Sequence, residues 1–205
     1  MFDRKKRNFL SKIVGSALIA GVMTGHARPT PHQSLGPFYP SIIPPDSDAD
    51  LTFVQGRNGR AQGHLTTLRG QVLSVNGGVV PQARIELWQC DAFGSYHHPM
   101  DGGGIDPFFQ GYGRVTADNE GRYRFKTIKP VAYPGRAPHI HLRVTTNSDE
   151  LITQIYVLGN RENRSDFLLN AVPNDKARRS LVIPFIKDPS GNSDELVANF
   201  NPVIG

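Results

Sequence analysis

The chain has 205 residues, a formal net charge of +5 at pH 7 and a single cysteine, Cys90. One cysteine excludes an intramolecular disulfide and a zinc site built from cysteines, and we expect Cys90 to be a small buried residue. The first 27 residues carry +4 of the net charge, so a chain cut after Ala27 retains about +1. That balance, without a basic stripe interleaved with aromatic residues, predicts no nucleic-acid partner.

Residues 1–27 have the layout of an export signal. Basic residues at 4–7 precede an apolar run of small residues at 13–23, and Gly25-His26-Ala27 offers a cleavage site. Residues 6–12 resemble a twin-arginine motif whose first arginine is a lysine. A retained anchor is the competing interpretation, but the apolar run is shorter than the ~20 residues that span a bilayer. We therefore expect a cleaved signal peptide, no stable membrane anchor afterwards, and a bacterial periplasmic location.

The rest of the chain reads as an arm followed by one domain. Residues 28–45 are rich in proline and polar residues, which favours an extended arm. Residues 46–205 have the length of one domain with its own core. Their apolar residues alternate with a period of two, and turn signals at 76–78, 118–121 and 190–192 separate the periodic segments. This pattern predicts an all-β fold, a single β-sandwich domain whose long loops carry the functional groups.

Six segments are predicted to be strands, and two short helical turns are too small to cover a sheet, which disfavours a parallel α/β fold. The predicted strands are 67–75, 83–89, 122–127, 139–145, 151–157 and 195–200, and the helical turns are 165–170 and 175–180.

A short run combines a phenol, a guanidinium and two imidazoles. On a strand, His139 and His141 point to one face, while Ile140 points to the core. Two imidazoles on one face can bind one metal ion. The spacing alone leaves open whether that face lines a pocket or lies in water, and a hydrogen-bonded or solvated pair is an equal alternative. The run is Tyr133-Pro134-Gly135-Arg136-Ala137-Pro138-His139-Ile140-His141.

A second phenol, Tyr96, follows the predicted strand 83–89 on a loop that contains glycine. With Tyr133 and the two histidines it would complete an N₂O₂ set. A phenol has a pKa of about 10 in water, so it ionises at neutral pH only on a strong Lewis acid. Fe(III) is such an acid, whereas zinc usually takes histidine, cysteine or carboxylate. The set therefore predicts non-haem Fe(III), and a +1 centre of this kind would accept a catecholate dianion from an aromatic diol.

Many runs in the chain, in order from Gly36 onwards, resemble the intradiol ring-cleavage dioxygenases, most closely the iron-bearing subunits of the protocatechuate-cleaving members. As a set these motifs are highly specific. They include Gly36-Pro37-Phe38-Tyr39-Pro40, Ile85-Glu86-Leu87-Trp88-Gln89, Gly94-Ser95-Tyr96, Tyr133-Pro134 and Pro138-His139-Ile140-His141, together with residues 68–72, 113–118, 121–130 and 151–156.

The resemblance implies a role for each site residue. Tyr96 and His139 are implied to be equatorial iron ligands, and Tyr133 and His141 axial ones. Tyr133 would leave when a catechol chelates the ion. The implied reaction is cleavage of a catechol-type ring with O₂ to a cis,cis-muconate, in which an arginine stabilises developing negative charge. The remaining implied substrate contacts are Arg136 in that charge-stabilising role, Gln154 beside it, and Pro37 and Tyr39 on an arm that approaches the site.

Compared with the family, this chain has a short connection between Tyr133 and His139, which predicts a pocket that is more open or differently lined. We also expect no N-terminal helical dimerisation domain of the catechol 1,2-dioxygenase kind. Protocatechuate, catechol and hydroxyquinol are all candidate substrates, and a homo- or hetero-oligomer is expected. Two alternatives stay open: a non-catalytic transthyretin-like binding module, and an exported protein that captures iron or phenolics without cleaving rings.

Overall fold

A computed structural model describes residues 27–189 and 194–205. The signal peptide predicted at 1–27, apart from Ala27, and the turn predicted at 190–192 lie outside these residues. No helix in the described ranges is long and apolar enough to cross a membrane. The helical content is a 3₁₀ turn at Arg161–Arg164, α1 at Phe167–Asn170 and α2 at Asp175–Ser180.

Strands make up most of the regular structure, which confirms the all-β prediction. The six predicted strands are all present, with ends shifted by a few residues or, for the first, with a break. The strands are β1 (Leu65–Gln71), β2 (Leu73–Ser74), β3 (Arg84–Trp88), β4 (Tyr112–Thr116), β5 (Arg122–Ile128), β6 (His139–Thr145), β7 (Glu150–Val157), β8 (Val182–Ile183), β9 (Ile186–Lys187), β10 (Leu196–Asn199) and β11 (Val203–Ile204).

Two sheets enclose the main core. One has the strand order β5-β1-β10-β9 and the other β4-β3-β6-β7-β8, while β2 and β11 form a small parallel pair. β6 is central in the larger sheet and pairs antiparallel with both β3 and β7. Its apolar residues Ile140, Leu142 and Val144 are fully buried in the core. The alternation predicted for this strand is therefore correct.

The opposite face of the larger sheet is also buried, because the arm at 28–45 covers part of it. The arm has neither helix nor strand of its own. Backbone hydrogen bonds attach it to the sheets, including Gln33 N to Ile152 O at 2.8 Å and Thr30 N to Val203 O at 3.0 Å. Its apolar side chains pack against a second buried cluster of Trp88, Cys90, Tyr96 and Tyr112; these side chains are Leu35, Phe38, Tyr39 and Ile43.

Cys90 has the packing role expected for it. The thiol is free and buried, and burial, reinforced by the charge of Asp91, raises the pKa of Cys90 to about 12. It is therefore protonated and unreactive at neutral pH.

The structure departs from the predicted strands in two ways. The segment 67–75 is broken after Val72, where the backbone changes partners: the Val72 amide still donates to Gly121 O at 2.8 Å in the β1–β5 register, but its carbonyl accepts from Val80 N at 2.9 Å and the Leu73 amide donates to Pro202 O at 2.9 Å. β4 was not predicted, since its sequence Tyr-Gly-Arg-Val-Thr shows little alternation for an edge strand that pairs only with β3. β8, β9 and β11 are two residues long and carry no periodicity to detect.

Gly70 permits the closest backbone approach between β1 and the chain that follows β10. A Cβ at this position would overlap the carbonyl oxygen of Phe200. Neither chain can move easily, because Phe200 N donates to Arg69 O at 3.0 Å and the Tyr123 hydroxyl donates to Phe200 O at 2.7 Å. The contact requires a residue without a side chain.

We expect Gly70→Ala to lower the free energy of unfolding by at least about 2 kcal/mol, the scale of overpacking. Gly104→Ala is the matched control, because a Cβ there meets nothing within 4 Å. Urea unfolding of both variants measures the difference. Equal free energies of unfolding for the two variants would show that the close approach of Gly70 to Phe200 does not require glycine.

Candidate active site

His139 and His141 lie on the face of β6 that points away from the main core. Both are almost completely buried, with exposed fractions of 1% and 2%, so this face does not lie in water. Their Nε2 atoms are 3.2 Å apart. The indole of Trp88 on β3 stacks on His141, with ring centroids 4.8 Å apart, and holds its plane.

Hydrogen bonding directs a lone pair of His139 into the site. Its Nδ1 lies 2.6 Å from the carbonyl oxygen of Ala137. A carbonyl only accepts, so Nδ1 carries the proton and Nε2 presents its lone pair. Burial, with the nearby charge of Arg136, lowers the pKa of His139 to about 4, and burial with the charge of His139 lowers the pKa of His141 well below its usual range. Both rings are neutral at pH 7, the form that binds metals.

Tyr96 enters the same site from the loop after β3. The carboxylate of Asp91 shapes this loop by accepting from the amides of Phe93 and Ser95, and Asp101 accepts from the Tyr96 amide at 3.0 Å. The Tyr96 hydroxyl lies 3.5 Å from His139 Nε2. The sequence-based placement of Tyr96 on a loop beyond a strand end is therefore correct.

Tyr133 closes the group on the solvent side and is only half-buried. Its ring centroid is 5.6 Å from that of Tyr96 and 5.5 Å from that of His139. A tight turn positions it, in which Arg136 N donates to Tyr133 O at 3.0 Å. All four predicted ligands thus converge, and Tyr133 is the one most accessible from outside.

These four side chains fit a metal ion. An imidazole nitrogen bound at about 2.1 Å, as in zinc sites, lies about 3.0 to 3.4 Å from a second ligand at the same distance. The His139 to His141 separation of 3.2 Å falls in this range, and that between His139 and Tyr96 is close to it. Within the described residues, no three His, Cys, Asp or Glu side chains form a metal-binding group, so a site here needs the phenols.

Without a Lewis acid, both phenols stay protonated. Burial raises the pKa of Tyr96 well above its usual value and also raises that of Tyr133. Arg136 acts in the opposite direction on Tyr133, since its Nη1 lies 3.4 Å from the Tyr133 hydroxyl. Buried, protonated phenols beside neutral imidazoles are poorly suited to acid–base chemistry at neutral pH. They are suited to binding a cation that ionises the phenols.

Arg136 and Gln154 meet, as predicted. Arg136 has an exposed fraction of 8%, and its Nη2 donates to Gln154 Oε1 at 2.6 Å and to the Tyr156 hydroxyl at 3.2 Å. Its Nε donates to Asp166 Oδ2 at 2.9 Å. Burial disfavours the guanidinium charge, but the hydrogen bond to Asp166 leaves the pKa of Arg136 above its usual range.

Of the predicted arm residues, neither touches the four-residue cluster directly. Pro37 is exposed. Tyr39 lies on the far side of Trp88, with ring centroids 5.0 Å apart, and its hydroxyl accepts from Arg143 Nη1 at 3.1 Å. The arm instead reaches the site through Phe38, which stacks on Tyr96 at 4.6 Å.

Four residues of the site had no role in the sequence-based prediction: Phe38, Trp88, Tyr156 and Asp166. The first three lie inside the family-like runs but carry no distinctive ligand chemistry. Asp166 had a detectable signal, because an aspartate just before a helical turn predicts an N-cap, and its Oδ1 accepts from Leu169 N at 2.9 Å.

Gly36 lets the arm lie directly on His141. It has a φ of +75°, and an added Cβ would lie 3.2 Å from His141 Cε1. We expect Gly36→Ala to weaken metal binding about tenfold by displacing the ring. Gly56→Ala is the control, because its φ of +81° imposes the same backbone strain with no neighbour within 4 Å. Metal titration of both variants measures the two affinities. Equal affinities would show that the contact between Gly36 and His141 does not affect metal binding.

Comparisons with known proteins identify the family of this chain. The family model described as Dioxygenase matches residues 35–203. The protocatechuate 3,4-dioxygenase beta chain of Burkholderia cepacia is 36% identical over 168 residues, which cover 77% of this chain and 71% of that one. Hydroxyquinol 1,2-dioxygenase of Rhodococcus opacus is 28% identical over 213 residues; the match covers 92% of this chain but only 66% of that enzyme.

Among solved structures, the dioxygenase domain of a dioxygenase carbohydrate-binding protein fusion from Streptomyces sp. SirexAA-E superposes with a TM-score of 0.63 and 25% identity, covering 86% of this chain and 97% of that one. The matches extend over the arm from residue 35, the main core and all four convergent side chains. The chain therefore belongs to the intradiol ring-cleaving dioxygenases, a family of oxidoreductases.

Proposed function

We propose that this chain is a non-haem Fe(III) intradiol dioxygenase that cleaves the ring of a catechol-type diol. The observation that carries the proposal is the convergence of Tyr96, Tyr133, His139 and His141 in a buried cluster. Ring cleavage between the two hydroxyl-bearing carbons places both atoms of O₂ in a cis,cis-muconate-type dicarboxylic acid. The diol supplies all the electrons that reduce O₂, so the reaction needs no external reductant.

The donor set favours Fe(III) over other common ions. Two phenolates are hard, anionic oxygen donors that suit a trivalent ion, whereas zinc sites typically use histidine, cysteine or carboxylate. Bound there, Fe(III) would ionise the phenols and draw electron density from a chelated diol, which makes the ring reactive toward O₂. Tyr96, His139 and His141 are almost fully buried and would hold the ion in a dry environment.

Tyr133 is the residue placed to exchange with the substrate. It is the most exposed of the four, and Pro134 and Gly135 beside it are exposed as well. As a diol approaches from this side, the Tyr133 oxygen can take up a proton from a substrate hydroxyl and move away. Arg136 Nη1, 3.4 Å from that oxygen, stabilises negative charge at the same place.

The proposed substrate is a catechol-type diol, with or without a further ring substituent. The named relatives act on protocatechuate and hydroxyquinol, which makes these two, with catechol itself, the first compounds to test. The short connection between Tyr133 and His139 leaves the entrance on that side with exposed residues. Further parts of the proposal are that the arm carrying Pro37 and Tyr39 borders the entrance through Phe38, whose ring centroid lies 6.3 Å from that of Tyr133, and that the protein forms a homo- or hetero-oligomer.

The purified protein, loaded aerobically with Fe(III), should be burgundy-red from phenolate-to-iron charge transfer and should take up oxygen with at least one catechol. Tyr133→Phe should shift the absorption band and lower turnover at least about 100-fold, and His139→Ala should lose the iron. Tyr123→Phe is the control, because that hydroxyl donates to Phe200 O, in a different part of the molecule.

A colourless, iron-free protein would contradict the proposal. A red protein without oxygen uptake on the whole catechol panel would instead favour the iron- or phenolic-capture alternative. Unchanged colour and turnover in Tyr133→Phe and His139→Ala would show that the ligand assignment is wrong.

We also propose export to the periplasm, on the basis of the signal-like residues 1–27. The protein expressed from the full chain in a bacterium should be recovered from the periplasm with Arg28 as its first residue, as determined by intact mass. Recovery from the cytoplasm with residues 1–27 retained would contradict export. Substituting Arg7 by Lys and comparing the yield then tests the twin-arginine route.

A further inference from the structure

The guanidinium of Arg136 has only one free edge. Arginine has five N–H donors in a rigid plane. Three of them, on Nε and Nη2, point at Asp166, Gln154 and Tyr156. The two N–H groups on Nη1 remain, and the contact on that side is the Tyr133 hydroxyl at 3.4 Å. The orientation of the guanidinium therefore decides what Nη1 meets.

Asp166 is the one anionic partner among these contacts. Its side chain is fully buried, and Oδ2 accepts from Arg136 Nε at 2.9 Å and from the Ala137 amide at 2.8 Å. Oδ1 lies 3.5 Å from Nη2 and caps α1 through the Leu169 amide. Asp166 thus joins α1 to the turn before β6, and it grips the guanidinium on the edge opposite Nη1.

The face of the guanidinium is covered as well. The ring of Phe167, the first residue of α1, lies over Arg136 with its centroid 5.4 Å from Cζ. Phe167 is itself 64% exposed, so it separates the buried cation from solvent. The N-cap and the first residue of one short helix therefore fix an edge and one face of the same charged group.

We propose that Asp166 is a positioning residue, which holds Arg136 so that Nη1 alone faces the place where Tyr133 gives way to substrate. This rests on the proposed function of the site. Asp166 touches neither the four convergent side chains nor the substrate entrance in any contact the structure records, so it acts through Arg136. The consequence is that loss of its charge impairs diol binding and ring cleavage only when Arg136 is present.

A purely structural role makes a different prediction. If Asp166 only caps α1 and ties it to Ala137, its removal lowers stability and does so whether or not Arg136 is there. A double-mutant cycle separates the two roles. The variants are Asp166→Asn, Arg136→Met and the combination, with Asp166→Ser as a second single variant because serine also caps helices and carries no charge.

Asp118→Asn is the matched control. Asp118 makes the same kinds of contact on the surface, accepting from the amides of Glu120 and Arg122 and from Arg122 Nε at 2.9 Å, in a turn beside β5. The measurements on each Fe(III)-loaded full-length protein are the dissociation constant of 4-nitrocatechol from the visible spectrum, kcat/KM with the best diol, and the urea midpoint.

We expect Asp166→Asn and Asp166→Ser to weaken 4-nitrocatechol binding and lower kcat/KM by about 10- to 100-fold. Asp118→Asn should stay within about twofold of the unsubstituted protein, and Asp166→Asn should add less than about a twofold loss in the Arg136→Met background. Equal losses with and without Arg136, or binding and kcat/KM unchanged in both Asp166 variants, would overturn the inference. If only this inference fails, the parent protein stays red and active. If the proposed function fails, the parent protein itself has no colour, no 4-nitrocatechol binding and no turnover.

Discussion

The burial of both faces of β6 is the constraint on which the rest of the site depends. Ile140, Leu142 and Val144 fill the main core on one side, and His139 and His141 are almost fully enclosed on the other. Buried ring nitrogens without partners are costly. His139 uses its Nδ1 on Ala137 O, which leaves the two Nε2 atoms facing each other, and His141 Nδ1 has no partner in the described structure. The cation proposed for this site would accept a lone pair from each of the two Nε2 atoms.

The same burial explains why phenols complete the donor set. Tyr96 and Tyr133 have pKa values raised by desolvation, so neither is anionic until a Lewis acid binds. The charge of Arg136 partly offsets this rise for both phenols, but its Nη1 lies within hydrogen-bonding distance of Tyr133 alone, at 3.4 Å. The two phenols are therefore inequivalent: one is buried and held by the loop after β3, and the other is half-exposed and lies beside a fixed cation. In the proposed mechanism, that asymmetry allows the Tyr96 oxygen to stay while the Tyr133 oxygen exchanges.

Much of this could be predicted from the sequence, because a period of two places His139 and His141 on one face and because the motifs occur in family order. The ligand cluster, the arginine–glutamine pair and most strands follow from such local patterns. The contacts that the sequence does not reveal join distant segments. Asp166 meets Arg136 across 30 residues, and Gly70 meets Phe200 across a strand junction that has no periodic signal. Packing of Phe38 on Tyr96 likewise depends on the path of an arm without regular structure.

The arm at 28–45 has no helix or strand, and the sheet supplies the groups to which it bonds. Its position therefore depends on β7 and β11, whose carbonyl groups accept from the amides of Gln33 and Thr30. Segments without regular secondary structure open more readily than the sheets they cover. Release of the arm would uncover Tyr96 and His141 without unfolding the core. The rate at which an ion enters or leaves the cluster would then be set by local opening of the arm rather than by global unfolding.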